Sequence, residues 1–134
     1  MIEIAPSDLS PAGLAGLAAL LRRRFPRALQ ITPAYLAWTY LRNPEGAALA
    51  FDAREGGRVV AHFAATPRRA RLAGAVERGL LTQHAATEPG FGGRGLFEAL
   101  VRRALADGDG AGFGHALAFA NAQSRFALVE RLGF

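Results

Sequence analysis

"TEPGFGGRGLFEAL", Thr87 to Leu100, is the stretch whose reading decides the fold. Taken from Gly90 it matches G-x-G-x-x-G, the turn of a dinucleotide-binding strand–loop–helix unit. Taken from Gly92 it is a Gly-Gly-Arg-Gly loop that opens a helix, with Leu96, Phe97, Leu100, Val101, Ala104 and Leu105 on one apolar stripe. Either way the physics is the same. Backbone N–H groups at a helix start are unpaired and carry partial positive charge, which suits a diphosphate. Glycines at 92, 93 and 95 remove the side chains that would block its approach, and Arg94 adds a mobile cation.

Position separates the two readings. A dinucleotide fold begins with its glycine fingerprint and continues through several strand–helix units. Here the glycines arrive late, and "HALAFAN" ends in Asn121 where an acidic residue for the ribose is expected. A Walker-type phosphate loop is excluded because "GRGLFEAL" lacks the Lys-Ser/Thr pair.

Outward from the loop, the chain falls into alternating periods. "IEIA" reads as a first strand. Ser10-Pro11 and Thr32-Pro33 are helix starts, an N-cap followed by Pro at the first helical position. The helices they open end at Pro26 and Asn43-Pro44. "GAALAFDA", "RVVAHFAATP" with its extension "ARLAG", and "AVERGLLTQHAAT" read as three successive strands, the first two joined through "REGG", with Gly79 a kink or bulge in the third. After the glycine loop and its helix, "HALAFA" reads as a buried strand and Gln123 to Arg131 as a final helix. The expected fold is α/β: a mixed, mostly antiparallel sheet flanked by helices, in the order βααβββαβα.

The 134 residues suffice for one domain, and 51% apolar composition suffices for its core. No apolar run is long enough to span a membrane, and the acidic "MIEIAPSD" is not a secretory signal. With no cysteine, disulfides, thiolate zinc sites and a cysteine nucleophile are excluded, which fits a cytoplasmic protein. Three scattered His and no paired carboxylates form no metal-ligand set. The net charge of +5 is carried by Arg alone, so Schiff-base chemistry on Lys is excluded too. The Arg excess is also the one feature that would suit a nucleic-acid-binding module, but no helix-turn-helix, zinc ligands or aromatic sheet stripe accompany it, and no nucleic-acid partner is expected.

The chain resembles the GNAT superfamily of acyl-CoA N-acyltransferases over nearly its whole length. "TEPGFGGRGLFEAL" resembles that family's "VHPDYRGRGIFSAL" loop, "WTYLRNPEG" (Trp38 to Gly46) its Trp-x-Tyr…Asn-Pro-x-Gly entry into the sheet, and "FANAQSRFALVERLGF" its Asn-x-x-Ser…Leu-Gly-Phe ending. The resemblance implies acetyl-CoA as co-substrate and acetyl transfer to a primary amine of a small molecule. A degenerate domain that binds acyl-CoA without turnover is its alternative. Gly92 stands where the family carries a leading Arg, Phe97 where it carries Gly or Ala except in the branch whose loop reads "GIF", and Leu128 where many members carry a Tyr that serves as acid. The family continues with two strands beyond the position of Phe134, so the sheet edge is expected to be covered by a second copy or a further segment.

Site roles follow from the same resemblance. Gly92, Gly93, Arg94, Gly95, Leu96 and Phe97 would hold the diphosphate, and Asn121 and Ser124 the CoA arm, with a helix N-cap as the other role of Asn121. A backbone N–H near Ala86 or Thr87 would hold the thioester oxygen. The candidates for proton acceptor are His84 and Glu77. His84 titrates in the useful range but is equally an outward polar group or a packed imidazole, and Glu77 is a base if buried and otherwise a solvated strand-end charge. Strict alternation would put Gln83 and His84 on opposite faces. Glu88 is expected in solvent, His62 as a structural residue, and Tyr35, Trp38 and Tyr40 in the core. Arg22 to Arg24 and Arg68, Arg69 and Arg71 are expected on solvated faces.

Overall fold

A computed structural model describes residues 1–134. Its elements run β1 (Ile2–Pro6), α1 (Pro11–Arg24), α2 (Pro33–Leu41), β2 (Leu49–Glu55), β3 (Arg58–Leu72), β4 (Ala75–Thr87), α3 (Leu96–Gly110) and β5 (His115–Leu117), followed by a terminal wide helical turn, Ala127–Arg131. The order read from the sequence is the observed one. Both expected caps form: the hydroxyls of Ser10 and Thr32 accept from the N–H groups of Gly13 and Tyr35. Two segments are shorter than expected. "HALAFA" pairs only over His115–Leu117, and the final helix is reduced to one wide turn closed by Leu132 N–H on the Ala127 carbonyl.

The five strands form one sheet in the order β1-β2-β3-β4-β5, antiparallel except for the parallel β4–β5 pair. The central strand β3 is buried on both faces, which is why "VVAHFAAT" reads as a nearly unbroken apolar run. Its Ala64 faces a layer made by Leu14, Leu17, Leu21, Leu36 and Tyr40 of α1 and α2. Ala61, Phe63 and Ala65 face Leu96, Leu100, Val101 and Ala104 of α3. The molecule is thus a sheet with α1–α2 on one side and α3 on the other.

Three expectations about packing are corrected. Gly79 is neither kink nor bulge: it pairs in register with Arg68, and a Cβ there would lie 2.1 Å from the His115 ring, so the glycine lets β5 pass closely. The irregularity of β4 lies further on, opposite His62 to Ala64. Trp38 is 62% exposed and does not join the core, whereas Tyr40 is fully buried. Glu88 is only 6% exposed: its carboxylate bonds Arg23 of α1 and lies 3.8 Å from Arg58, so the entrance to the glycine loop is clamped to the end of α1.

Candidate functional site

β4 and β5 pair only from Gly79 to Leu81 and from His115 to Leu117. Beyond that point β4 runs on to Thr87 while the chain after Leu117 turns away, so the two parallel strands splay. From Thr82 onward β4 has a strand partner only on its β3 side, and its other edge offers free peptide groups to whatever lies in the gap. The gap opens into a cleft of about 830 Å³ that reaches from Phe25 and Ile31 beside α1, along Thr82 to Thr87, to the glycine loop, Asn121, Ser124 and Leu128.

One end of the cleft is the loop. Gly93 and Gly95 have φ of 73° and 71°, a region that side chains other than glycine enter only with strain. A Cβ at Gly92, Gly93 or Gly95 would meet no atom within 4 Å, so the space above the loop is open. Gly95 is the N-cap of α3 and has no side chain to satisfy the helix start. The first bond of the helix is Ala99 N–H to the Gly95 carbonyl, which leaves the N–H groups of Leu96, Phe97 and Glu98 unpaired toward the cleft end. Arg94 is exposed, lies over the Phe91 ring at 4.7 Å and donates to the Gly90 carbonyl.

The wall opposite is the β4 irregularity. Ala64 opposes Gln83 and His62 opposes Ala86, so one extra residue is fitted between them. His84 takes it up with φ of 55°, an unusual value for a residue with a Cβ. The bulge overturns the alternation expected from sequence. Gln83 reaches Thr66 and His84 reaches Tyr40, both on the α1–α2 face. Burial, reinforced by the neighbouring His62, lowers the His84 pKa to about 4.

Behind His84 of β4 stands a chain of buried side chains from three further elements, α2, β3 and β2. Tyr40 Oη is 2.9 Å from His84 Nδ1 and 2.9 Å from His62 Nε2. His62 Nδ1 is 2.8 Å from Asp52 Oδ1, which also accepts from the Ser7 hydroxyl at 2.7 Å. The other oxygen of Asp52 is 3.1 Å from the Arg54 guanidinium. Burial, then the nearby carboxylate of Asp52 and Tyr35, push the Tyr40 phenol well above its usual range. The sequence marked His62 as structural and Tyr40 as core, and both are buried. That they join Asp52 and His84 was not foreseen. The one sequence signal was the carboxylate of Asp52 inside the apolar strand "ALAFDA".

The remaining site residues are placed as follows. Ala86 and Thr87 line the cleft beside His84. Asn121 caps the turn that leads into the terminal helical segment: its Oδ1 accepts from the N–H groups of Gln123 and Ser124, and it lines the cleft as well. Glu77 is not assembled with His84. It lies seven residues away along β4, about 23 Å at the rise of a strand, next to His115 at 3.9 Å, and is largely exposed. Arg69 of the expected solvated cluster pairs with Glu45, Arg23 with Glu88.

The backbone as a whole superposes on known structures. A predicted acetyltransferase with acetyl-CoA from Clostridium acetobutylicum superposes with a TM-score of 0.81 at 16% identity, covering 100% of this chain and 90% of that one. Glucosamine-6-phosphate N-acetyltransferase from Arabidopsis thaliana gives 0.76 at 12% identity, covering 100% and 91%. A putative acetyltransferase from Agrobacterium tumefaciens gives 0.75 at 23%, covering 98% and 92%.

The fold is that of the GNAT acetyltransferases.

No protein-family model matches the sequence, and no curated protein matches it. At these identities it is the backbone that is shared.

Proposed function

We propose that the chain transfers an acetyl group from acetyl-CoA to a primary amine of a small molecule. The observation that carries this reading is the single cleft that joins the glycine loop, the bare edge of β4 and His84. The loop fits the co-substrate's diphosphate: its peptide N–H groups are free, its glycines leave the approach open, and Arg94 supplies a cation. When bound, acetyl-CoA supplies an activated thioester. The free edge of β4 would bond the amide groups of its arm as an added strand, with Asn121 and Ser124 on the other side of the gap.

The N–H groups near Ala86 and Thr87 would take the negative charge that develops on the acyl oxygen, a contribution of about 3 kcal/mol for one well-placed donor. His84 would take the proton that the amine releases as its C–N bond forms. A bare imidazole with a lowered pKa remains neutral across the physiological range, so it is always ready to accept, and the N–H of an amine becomes acidic as it bonds the acyl carbon. Glu77 has no part in this arrangement.

The test is release of free CoA thiol from acetyl-CoA against a panel of primary amines, amino sugars included. Amine-dependent thiol release is the expected result. Acetyl-CoA binding with no turnover on any amine would identify an acyl-CoA-binding domain instead, a reading that Leu128 in the cleft favours because it offers no hydroxyl to the departing thiolate. A folded chain that binds no acetyl-CoA would overturn the proposal.

A further inference from the structure

We infer that Asp52, His62 and Tyr40 form a directional hydrogen-bond relay that fixes His84 as the Nδ1–H tautomer and so presents a bare Nε2 to the cleft. The direction follows from counting donors. An ionised carboxylate only accepts, so the 2.8 Å bond to Asp52 requires a proton on His62 Nδ1. Arg54 already balances the Asp52 charge at 3.1 Å, so a neutral His62 leaves this buried cluster without net charge. The Nε2 of a neutral His62 is then an acceptor, and the single proton of Tyr40 points to it. Tyr40 Oη can now only accept from His84, which places the proton on His84 Nδ1. No protein group bonds the other ring nitrogen of His84, and the residue lines the cleft.

The groups facing this chain are few. Ser7 of the β1 end donates to Asp52, Arg54 of β2 pairs with it, and Tyr35 of α2 packs edge-on against the His84 ring at 5.8 Å. None competes for the Tyr40 hydroxyl. Tyr40, His62 and Asp52 are therefore positioning residues: they touch no substrate and act through His84. In the acetyl-transfer reading, on which the catalytic consequence rests, the amine's proton passes to His84 Nε2 while the Nδ1 proton stays on its bond to Tyr40. The C–N bond forms, the C–S bond breaks, and the thiolate departs.

Asp52→Asn gives the sharpest variant. The Arg54 guanidinium needs an acceptor, so the amide oxygen faces Arg54 and the NH₂ faces His62. That inverts every bond along the relay and leaves His84 with its proton on Nε2. In a Ser-His-Asp triad the same carboxylate-to-amide change strands the wrong tautomer at a cost of about ten-thousand-fold. Here a loss of kcat of about hundred-fold or more is expected, with acetyl-CoA affinity retained.

The experiment is nitrogen-15 NMR of the imidazole rings at neutral pH, with the three histidines assigned by His→Gln substitutions. The expected spectrum shows His84 with a protonated Nδ1 and a bare Nε2 in the wild-type chain, reversed in Asp52→Asn and relaxed to a mixture in Tyr40→Phe. A wild-type His84 with its proton on Nε2, or a His62 carrying both protons, would overturn the relay, and both are read on the wild-type chain without an active enzyme, the more exposed His84→Gln and His115→Gln variants sufficing to assign all three rings by elimination. If the tautomer is as inferred but His84→Gln acetylates amines at the wild-type rate, the relay stands and the assignment of His84 as base falls.

Discussion

The two ends of the cleft are built in opposite ways. The glycine loop is open, exposed and made of backbone: its free groups are peptide N–H donors, and its side chains are mostly missing. The His84 end is closed and made of side chains, with Asp52 and His62 each only 1% exposed and Tyr40 fully buried. The first suits a flexible anion that must enter and leave. The second holds one imidazole in one orientation, at the cost of a left-handed φ and a buried polar chain.

The largest expected effect lies at the closed end. His84→Ala should lower kcat by about 10²- to 10⁴-fold, in line with loss of a general base, and leave acetyl-CoA affinity within about twofold. Steady-state rates paired with direct binding measurements separate the two. A parallel loss of affinity would mean that the ends do not have distinct tasks.

Next comes the open end. Gly95→Val puts a β-branched residue at φ of 71° over the space that a diphosphate would need. It should weaken acetyl-CoA binding by more than tenfold while costing about 1–2 kcal/mol of stability, which chemical denaturation would measure.

How legible these two ends were from the sequence follows from their construction. The loop is local, and consecutive glycines before an apolar helical stripe announce it. The caps at Ser10 and Thr32 and the strand bounds of β4 were legible for the same reason. The relay draws one residue each from α2, β2, β3 and β4, up to 44 positions apart, and no local pattern joins them. The bulge hid it further, because alternation assigns Gln83 and His84 to opposite faces and only the paired registers show otherwise. Glu88 was misplaced for a related reason. Its partners, Arg23 and Arg58, come from distant elements, and without them a carboxylate next to a loop belongs in water.

A moderate effect tests the clamp that holds the loop entrance to the end of α1. Glu88→Gln removes the charge that meets Arg23 and Arg58 and should cost about 1–3 kcal/mol. Because Glu88 precedes the loop, acetyl-CoA affinity should fall with it, and an unchanged affinity would show that the loop holds its shape unaided.

The last and most gradual effect is one of pH. The His84 pKa is about 4 in the folded chain against an ordinary value of 6.5, so as pH falls the unfolded chain takes up the proton first. The neutral His84 contributes its stability above pH 6.5, and that contribution is lost as pH falls from 6.5 through about 4. It should amount to on the order of 3 kcal/mol. Thermal unfolding across this window should show the decline in the wild-type chain and a shallower one in His84→Gln. Equal slopes would mean that His84 is not a buried neutral imidazole.

The central claim is that the cleft between β4 and β5 takes acetyl-CoA by its glycine loop. Calorimetric titration of acetyl-CoA into the wild-type chain and into Gly95→Val tests it most directly. The account predicts saturable one-to-one binding that Gly95→Val weakens by more than tenfold in a chain whose circular dichroism is unchanged. A folded wild-type chain that gives no heat of binding, or a Gly95→Val chain that binds as well as wild type, would contradict it.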